Sequence, residues 1–459
     1  MEHIFRAYDI RGIYQKDLLP ETAFTIGHAI GLFTKKKFGD KKEKYQVLVG
    51  RDVRKSSDVL TTALISGILS AGVDVTDVGT KAFGDTLFAG WKLEKDVLIY
   101  VTASHLTPEW NGVKLYYSDG QGFPEEDIKE IGRYVLENKK EFVSWAQLGN
   151  VSTLDHTTEY INYLKSHFTI SEKIKIGLDC GGGSTCLTAP RLFKEMGIET
   201  TEIFCDVDPF FSGRGSEPNE RSLAYLKEAV VKDGLAFGVG FDGDGDRGVI
   251  VDDKGRVLSA DIVGIIFGKD ILKEKKGVVL ANVESSMAIE DVLTPLGADV
   301  KRIKVGHTFL TMEAKRHNAV LGIERSGHMI IPSLYLFDDA LPIPLKLAEI
   351  LSKEERKLSE LVDEVPVYPK KTTNFDVEDR KKFKIISHLK KKMAQKHEKV
   401  NTLDGVRVDL EKGWGLIRAS NTSPVIRVTV EARDEKALES LSHYFIQEFK
   451  KAQEEVNKS

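Results

Sequence analysis

The sequence predicts an α/β protein: three related α/β domains with mixed sheets, then a smaller C-terminal α+β domain. Two observations carry that prediction. One strand–helix–strand pattern is written three times along the chain. Beyond residue 368 it gives way to a charged helix and to strands flanking a turn. The length, 459 residues, suits three or four domains of ordinary size.

The first copy, residues 47–79, reads VLVGRDVRKSSDVLTTALISGILSAGVDVTDVG. The second, residues 174–204, reads IKIGLDCGGGSTCLTAPRLFKEMGIETTEIF. The third, residues 277–306, reads GVVLANVESSMAIEDVLTPLGADVKRIKVG. Each opens with a short apolar strand and passes through a polar turn ending in Ser or Thr. An amphipathic helix of roughly 12 residues then follows. A glycine leads into the second strand: AGVDV, MGIET, LGADV. Ser and Thr accept from the free N–H groups at a helix start, and Gly takes the left-handed dihedrals at its end. The copies divide the chain into domains 1–150, 151–252 and 253–368, leaving 369–459 for the tail. Residues 365–369 read as a linker. Residues 381–399 read as a helix with an apolar stripe. WGLIRAS and VIRVTVEA read as strands flanking a turn, and 436–450 as a closing helix.

Hydrophobic residues make up 41% of the chain, enough to fill several cores, and charged residues 30%. With 66 Lys and Arg against 70 Asp and Glu, the formal net charge is -4. A dedicated nucleic-acid binder would carry a basic excess, so that class is excluded. An enzyme for anionic substrates can still gather its cations in one cleft. The three cysteines, Cys180, Cys186 and Cys205, form no C-x-x-C pair and no even framework. That composition, with no apolar leader in residues 1–12 and no run long enough to span a bilayer, predicts a cytoplasmic protein without a membrane partner.

The sharpest local signal is FDGDGDR, residues 241–247. A strand leads into Asp242, Asp244 and Asp246, separated by glycines. Carboxylates at alternate positions can converge on one side of a short loop and suit a hard cation, Mg²⁺ first. An EF-hand fits less well: Arg247 stands where that loop needs Gly. In VTASHLTPEWNGVK, residues 101–114, an apolar strand delivers Ser104 and His105 into a loop. A serine beside a histidine is either a nucleophile or a turn serine. No G-x-S-x-G elbow is present. In GIERSGHMII, residues 322–331, Glu324 and Ser326 can bond sugar hydroxyls and His328 can move protons. A connecting loop is the alternative. RASNTSPVIR, residues 418–427, joins a guanidinium to small donors in a turn: Arg418, Ser420, Asn421, Thr422 and, at its end, Arg427. That set suits a phosphate dianion or makes a plain hairpin.

These segments, with the opening FRAYDIRG at residues 5–12, together resemble the α-D-phosphohexomutase family, in particular its phosphomannomutase/phosphoglucomutase branch. The resemblance covers the whole chain in order. It implies four domains around a central cleft, one loop from each. It implies that Ser104 is a phosphoserine and that Asp242, Asp244 and Asp246 bind Mg²⁺ together with an oxygen on Ser104. Glu324 and Ser326 would then bind sugar hydroxyls, and Arg418, Ser420, Asn421 and Thr422 the remote phosphate. Tyr8, Arg11, Lys114, Arg247, His307 and His328 match cleft positions, with Lys114 and His328 placed for proton transfer.

The implied activity interconverts hexose 1- and 6-phosphates of mannose or glucose, with hexose 1,6-bisphosphate (glucose 1,6-bisphosphate) as intermediate and activator. Small sugar phosphates are the expected partners. Three departures stand out: Leu106-Thr107 for Asn-Pro after the serine and histidine, Ile323 for Gly before Glu324, and Glu284 for a lysine. A phosphoglucosamine mutase, a non-catalytic phosphosugar-binding regulator and a phosphatase are the alternatives.

Overall fold

The computed structural model describes residues 1–39, 44–420 and 424–458. Four sheets carry the architecture. The first holds β1 (Asp9–Ile13), β2 (Gln46–Arg51), β3 (Asp74–Thr80), β4 (Val97–Val101), β5 (Trp110–Tyr117) and β6 (Val151–Thr153), in the order β1-β5-β4-β2-β3-β6. The second holds β7 (Lys175–Asp179), β8 (Glu199–Ile203), β9 (Phe237–Phe241) and β10 (Gly248–Asp252), in the order β10-β9-β7-β8. The third holds β11 (Val278–Asn282), β12 (Asp299–Ile303), β13 (Leu321–Ile323) and β14 (Met329–Ile330), in the order β12-β11-β13-β14.

One rule generates all three. In each, the repeated strand pair is parallel: β2 with β3, β7 with β8, β11 with β12. A third strand joins the first in parallel: β4, β9, β13. Its partner then returns antiparallel: β5, β10, β14. The sheets are therefore mixed. Central strands such as VLIYV and FGVGF are buried at every position because both faces are covered. The first sheet runs past residue 150, since Val151 pairs with Val75.

The repeated helices are less uniform than the sequence pattern suggests. The first copy forms a helix over Ser57–Ser70. The second splits into a 3-10 turn, Ser184–Leu187, and a short helix, Ala189–Glu195. Pro190 lacks an N–H and fits only a first turn, so the helix restarts there. The third is Ala288–Leu293, and Pro295 passes it into a 3-10 turn. Gly72, Gly197 and Gly297 follow these helices with φ of 79°, 73° and 98°, the left-handed exit that glycine permits.

The tail forms an antiparallel sheet of β15 (Lys370–Asp376), β16 (Val400–Asn401), β17 (Val406–Leu410), β18 (Gly413–Ala419) and β19 (Val425–Ala432). Helices Asp379–Lys396 and Glu435–Lys458 cover it, the latter running eight residues past the end the sequence suggests. Among the described residues no helix is long and apolar enough to cross a membrane.

Candidate active site

Each of the three mixed sheets puts one loop in the same topological place, between its third strand and the antiparallel return. The β4–β5 loop carries Ser104 and His105, the β9–β10 loop the three aspartates, and the β13–β14 loop Glu324, Ser326 and His328. The repeat that organises the fold thus also brings the site together.

Ser104 is buried and sits at φ 52°, a left-handed conformation that costs a side-chain-bearing residue energy and needs support. Arg54 supplies it. Its buried guanidinium donates to Ser104 O and Leu106 O, both at 2.7 Å, and to Thr107 O at 2.6 Å. Thr102 Oγ1 accepts from Ser104 N at 2.8 Å. Ser104 Oγ then donates to Asp242 Oδ2 at 2.8 Å and accepts from Arg247 Nη2 at 3.0 Å. His105 Nδ1 also meets Arg247 Nη2, and burial with that guanidinium pushes the imidazole down to about 2, so it is neutral.

The aspartate loop is pressed against the serine loop. A Cβ on Gly243 would lie 2.7 Å from Ser104 O, which only glycine avoids. Asp242, Asp244 and Asp246 are fully buried, with one oxygen of each within 4.8 Å of the others. Asp244 Oδ1 and Asp246 Oδ1 have no hydrogen-bond partner among the described residues. Buried unpartnered carboxylate oxygens converging this closely fit a divalent cation with oxygen ligands.

The protein balances part of this charge itself. Lys114 Nζ, also buried, donates to Asp244 Oδ2 at 2.9 Å and to Asp246 Oδ2. Burial pushes the ammonium down, but the two carboxylates outweigh it and hold it well above the usual lysine value. Burial and the neighbouring Asp246 and Asp244 push the Asp242 carboxyl well up. Burial raises Asp246 too, but Lys114 and His328 more than reverse that.

His328 joins the two halves of the site. Its Nε2 lies 3.4 Å from Asp246 Oδ2 and 3.6 Å from Asp338 Oδ2. Its Nδ1 meets Ser326 Oγ at 2.8 Å, and Ser326 donates to Glu324 Oε1 at 2.9 Å. Burial lowers the imidazole, yet Asp246 and Glu324 bring it up to about 10. Glu324 Oε2 is buried without a partner among the described residues. His307 begins the helix His307–His317, with Nδ1 2.8 Å from the Tyr116 hydroxyl. Tyr8 packs edge-on against its ring at 5.8 Å. Arg11 donates to Asp9 Oδ2 at 2.6 Å, and Asp9 pairs with Lys114 between β1 and β5.

Arg418 stands on β18, close enough for its charge to act on the Tyr8 hydroxyl. It donates to Glu284 Oε1 at 2.7 Å and Asp404 Oδ1 at 3.0 Å. Glu284, where the family's lysine is expected, therefore pairs with the tail's arginine. Arg427 faces Arg418 across β18 and β19 and is exposed. Ser420 is buried, and its carbonyl accepts from Lys382 Nζ at 2.6 Å. Asn421 and Thr422 lie outside the described residues. Ile323 ends β13 and is buried against Gly264. Leu106 contributes its carbonyl to Arg54 and Ser216, a contact that its side chain does not alter.

Sequence reasoning passes over Arg54 and Asp338. Arg54 sits in GRDVRKSS, where a second arginine after a strand end is the available signal. Asp338 sits in FDDALP, a pair of acids before a helix-starting proline. Burial pushes the Asp338 carboxyl up to about 7.

Comparison with known proteins identifies a family for each of the four domains. The models for phosphoglucomutase/phosphomannomutase alpha/beta/alpha domains I, II and III match residues 2–142, 158–255 and 259–368. The model for the C-terminal domain matches residues 373–448. A phosphoglucomutase/phosphomannomutase of Thermococcus kodakarensis is 34% identical, over 96% of this chain and 97% of its own. A phosphoglucosamine mutase of Methanocaldococcus jannaschii is 32% identical, over 95% and 96%. The crystal structure of a phosphoglucomutase/phosphomannomutase family protein from Burkholderia thailandensis superposes with a TM-score of 0.90 at 28% identity, covering 99% of this chain and 98% of that one. The chain belongs to the phosphoglucomutase/phosphomannomutase family of α-D-phosphohexomutases.

Proposed function

We propose that this enzyme interconverts hexose 1-phosphate and hexose 6-phosphate, with mannose or glucose as the sugar, through a phosphoserine on Ser104. The observation that carries the reading is the position of Ser104 Oγ: in a strained loop, between an aspartate oxygen at 2.8 Å and an arginine donor at 3.0 Å. Phosphorylated Ser104 passes its phosphoryl group to the free hydroxyl of the bound sugar phosphate. The bond from phosphorus to Ser104 Oγ breaks as the bond to the sugar oxygen forms. The hexose 1,6-bisphosphate turns over, and its other phosphate returns to Ser104.

Arg247 stabilises Ser104 Oγ as it leaves. Lys114 and His328, both protonated against Asp246, are placed to give a proton to Ser104 Oγ as it leaves and to take up the proton of the attacking sugar hydroxyl in its place. His105, neutral beside Ser104, orients Arg247. Asp242, Asp244 and Asp246, with an oxygen on Ser104, would hold Mg²⁺, which supplies positive charge to the transferring phosphoryl oxygens. Glu324 and Ser326 read ring hydroxyls, with Tyr8, Arg11 and His307 beside them. Arg418, Ser420, Asn421, Thr422 and Arg427 grip the phosphate that does not react, after Arg418 leaves Glu284 and Asp404. Glucose 1,6-bisphosphate primes Ser104, and the work is done in the cytoplasm.

A phosphoglucosamine mutase is the second reading, favoured by a relative of that name at nearly the same identity. A coupled assay on mannose, glucose and glucosamine 1-phosphates, primed with glucose 1,6-bisphosphate, separates the two. The first reading expects the highest kcat/KM on mannose or glucose 1-phosphate. A clear preference for glucosamine 1-phosphate replaces it with the second. Tight binding with no turnover of any substrate removes both.

A further inference from the structure

The three cysteines, all within residues 180–205, serve no step above, and they meet at one end of the second sheet. Cys180 follows β7, Cys205 lies two residues beyond β8, and these strands are parallel neighbours. Cys205 Sγ contacts Cys180 Sγ at 3.3 Å. Cys186 donates to Phe204 O at 3.6 Å, one residue from Cys205. All three are free thiols.

The two central sulfurs differ in access. Cys180 is fully buried. Cys205 is half-buried and lines a surface cavity of about 400 Å³ with Gly181, Gly182, Phe204 and Asp208. The hydrogen bond with Cys180, with backbone hydrogen bonds at Cys180 and Ile203, outweighs burial and holds the Cys205 thiol below its usual value, while its Sγ also lies 3.4 Å from Leu178 O and 3.5 Å from Ile203 O. Burial pushes Cys180 well above it. A reachable thiol with thiolate character beside a buried partner is the arrangement of an attacking and a resolving cysteine.

The pair also backs the aspartate loop. Cys180 O accepts from Gly183 N at 2.8 Å, closing the turn that follows β7. The next residue, Ser184, donates from N and Oγ to Gly243 O at 3.0 and 3.2 Å. Gly243 stands between Asp242 and Asp244. Arg214 ties the same turn to the loop, donating to Asp179 Oδ1 at 2.7 Å and to Phe241 O at 2.6 Å.

We propose that Cys205 and Cys180 form a peroxide-responsive dithiol site, and that linking them shifts the turn behind the aspartate loop and slows the enzyme. The Cys205 thiolate attacks a peroxide oxygen. The O–O bond breaks, Cys205 becomes a sulfenic acid, and water leaves after protonation. Cys180 sulfur then attacks the Cys205 sulfur, the S–O bond breaks, and a second water leaves. Two thiols lose two electrons in total, and one hydrogen peroxide becomes two waters.

The test treats the full-length protein with hydrogen peroxide, blocks remaining thiols, and maps peptides by mass spectrometry. The expected result is a Cys180–Cys205 link, a free Cys186, and a severalfold fall in turnover that dithiothreitol reverses. Cys205→Ser should be active and insensitive to peroxide, while Cys186→Ser should respond like wild type. Peptide mapping reads the link without reference to activity, so a failure here is distinct from a failure of the mutase reading. A Cys186–Cys205 link, sulfinic acid on Cys205 without any link, or an oxidised form as active as the reduced one overturns the proposal.

Discussion

One apolar core runs through all three mixed sheets, from Leu48 through Leu178 and Phe267 to Val365. The C-terminal domain keeps a core of its own, including Ile385, Val428 and Phe445. Between the two lies a small apolar contact of Val283, Trp414 and Leu416, and otherwise mainly polar links. Arg418 reaches Glu284, Arg407 donates to Val283 O at 2.8 Å, and Arg433 pairs with Asp291. A shared core fixes the loops it carries, as an electrostatic site for group transfer requires. A mostly polar junction can open and close, because water replaces the lost bonds. On the proposed function, the difference separates a chemical half built on the shared core from a gripping half joined to it mainly by polar links.

The largest effect should come from the chemical half. Asp244→Asn keeps the shape but removes a charge from the converging oxygens. Turnover should fall on the order of 100- to 1,000-fold, with weaker magnesium dependence and little change in phosphosugar binding. A steady-state titration of magnesium and substrate checks this. Unchanged turnover in metal-free buffer would break the assignment of the aspartates.

The complementary change lies in the gripping half. Arg418→Ala should raise KM for every phosphosugar on the order of 10- to 100-fold, whichever sugar it carries, the scale of a charged hydrogen bond. Magnesium affinity should stay the same. A changed sugar preference at unchanged phosphate affinity would mean that the tail reads the ring.

The smallest effect concerns the shared core. Asp339 is buried where the sheets meet, with the hydroxyls of Tyr160 and Tyr335 donating to it. Burial pushes its carboxyl up to about 6. Between the ordinary carboxylate value and about 6, the folded state binds more protons than the unfolded. This group's contribution to stability therefore falls as pH rises through that window. Asp339→Asn should stabilise the protein by about 1–3 kcal/mol at pH 7, with the gain gone below about pH 4. Urea unfolding at both pH values measures it. Hydrogen exchange in the tail sheet should not change, and a change there would erase the distinction between the halves.

The sequence discloses these halves unequally. The threefold pattern is readable because strands, exit glycines and turn residues are local signals. The aspartate triplet is readable because its three carboxylates lie within five residues. Arg54 is not, since Ser104 lies 50 residues away in the chain, and Asp338 is not, since it meets His328 across a loop that no helical or strand spacing links. The helices of the second and third copies are misjudged in length because periodicity runs through Pro190 and Pro295, whereas a helix does not. The Glu284–Arg418 pair spans 134 residues, and nothing in either segment announces it.

The central claim is that Ser104 carries the phosphate. Intact-mass and peptide analysis of protein incubated with glucose 1,6-bisphosphate tests it most directly. One phosphate-sized addition, located on Ser104 and discharged by hexose phosphate, is the predicted result, with no addition and almost no turnover in Ser104→Ala. A phosphate located elsewhere, or wild-type turnover in Ser104→Ala, would contradict the account.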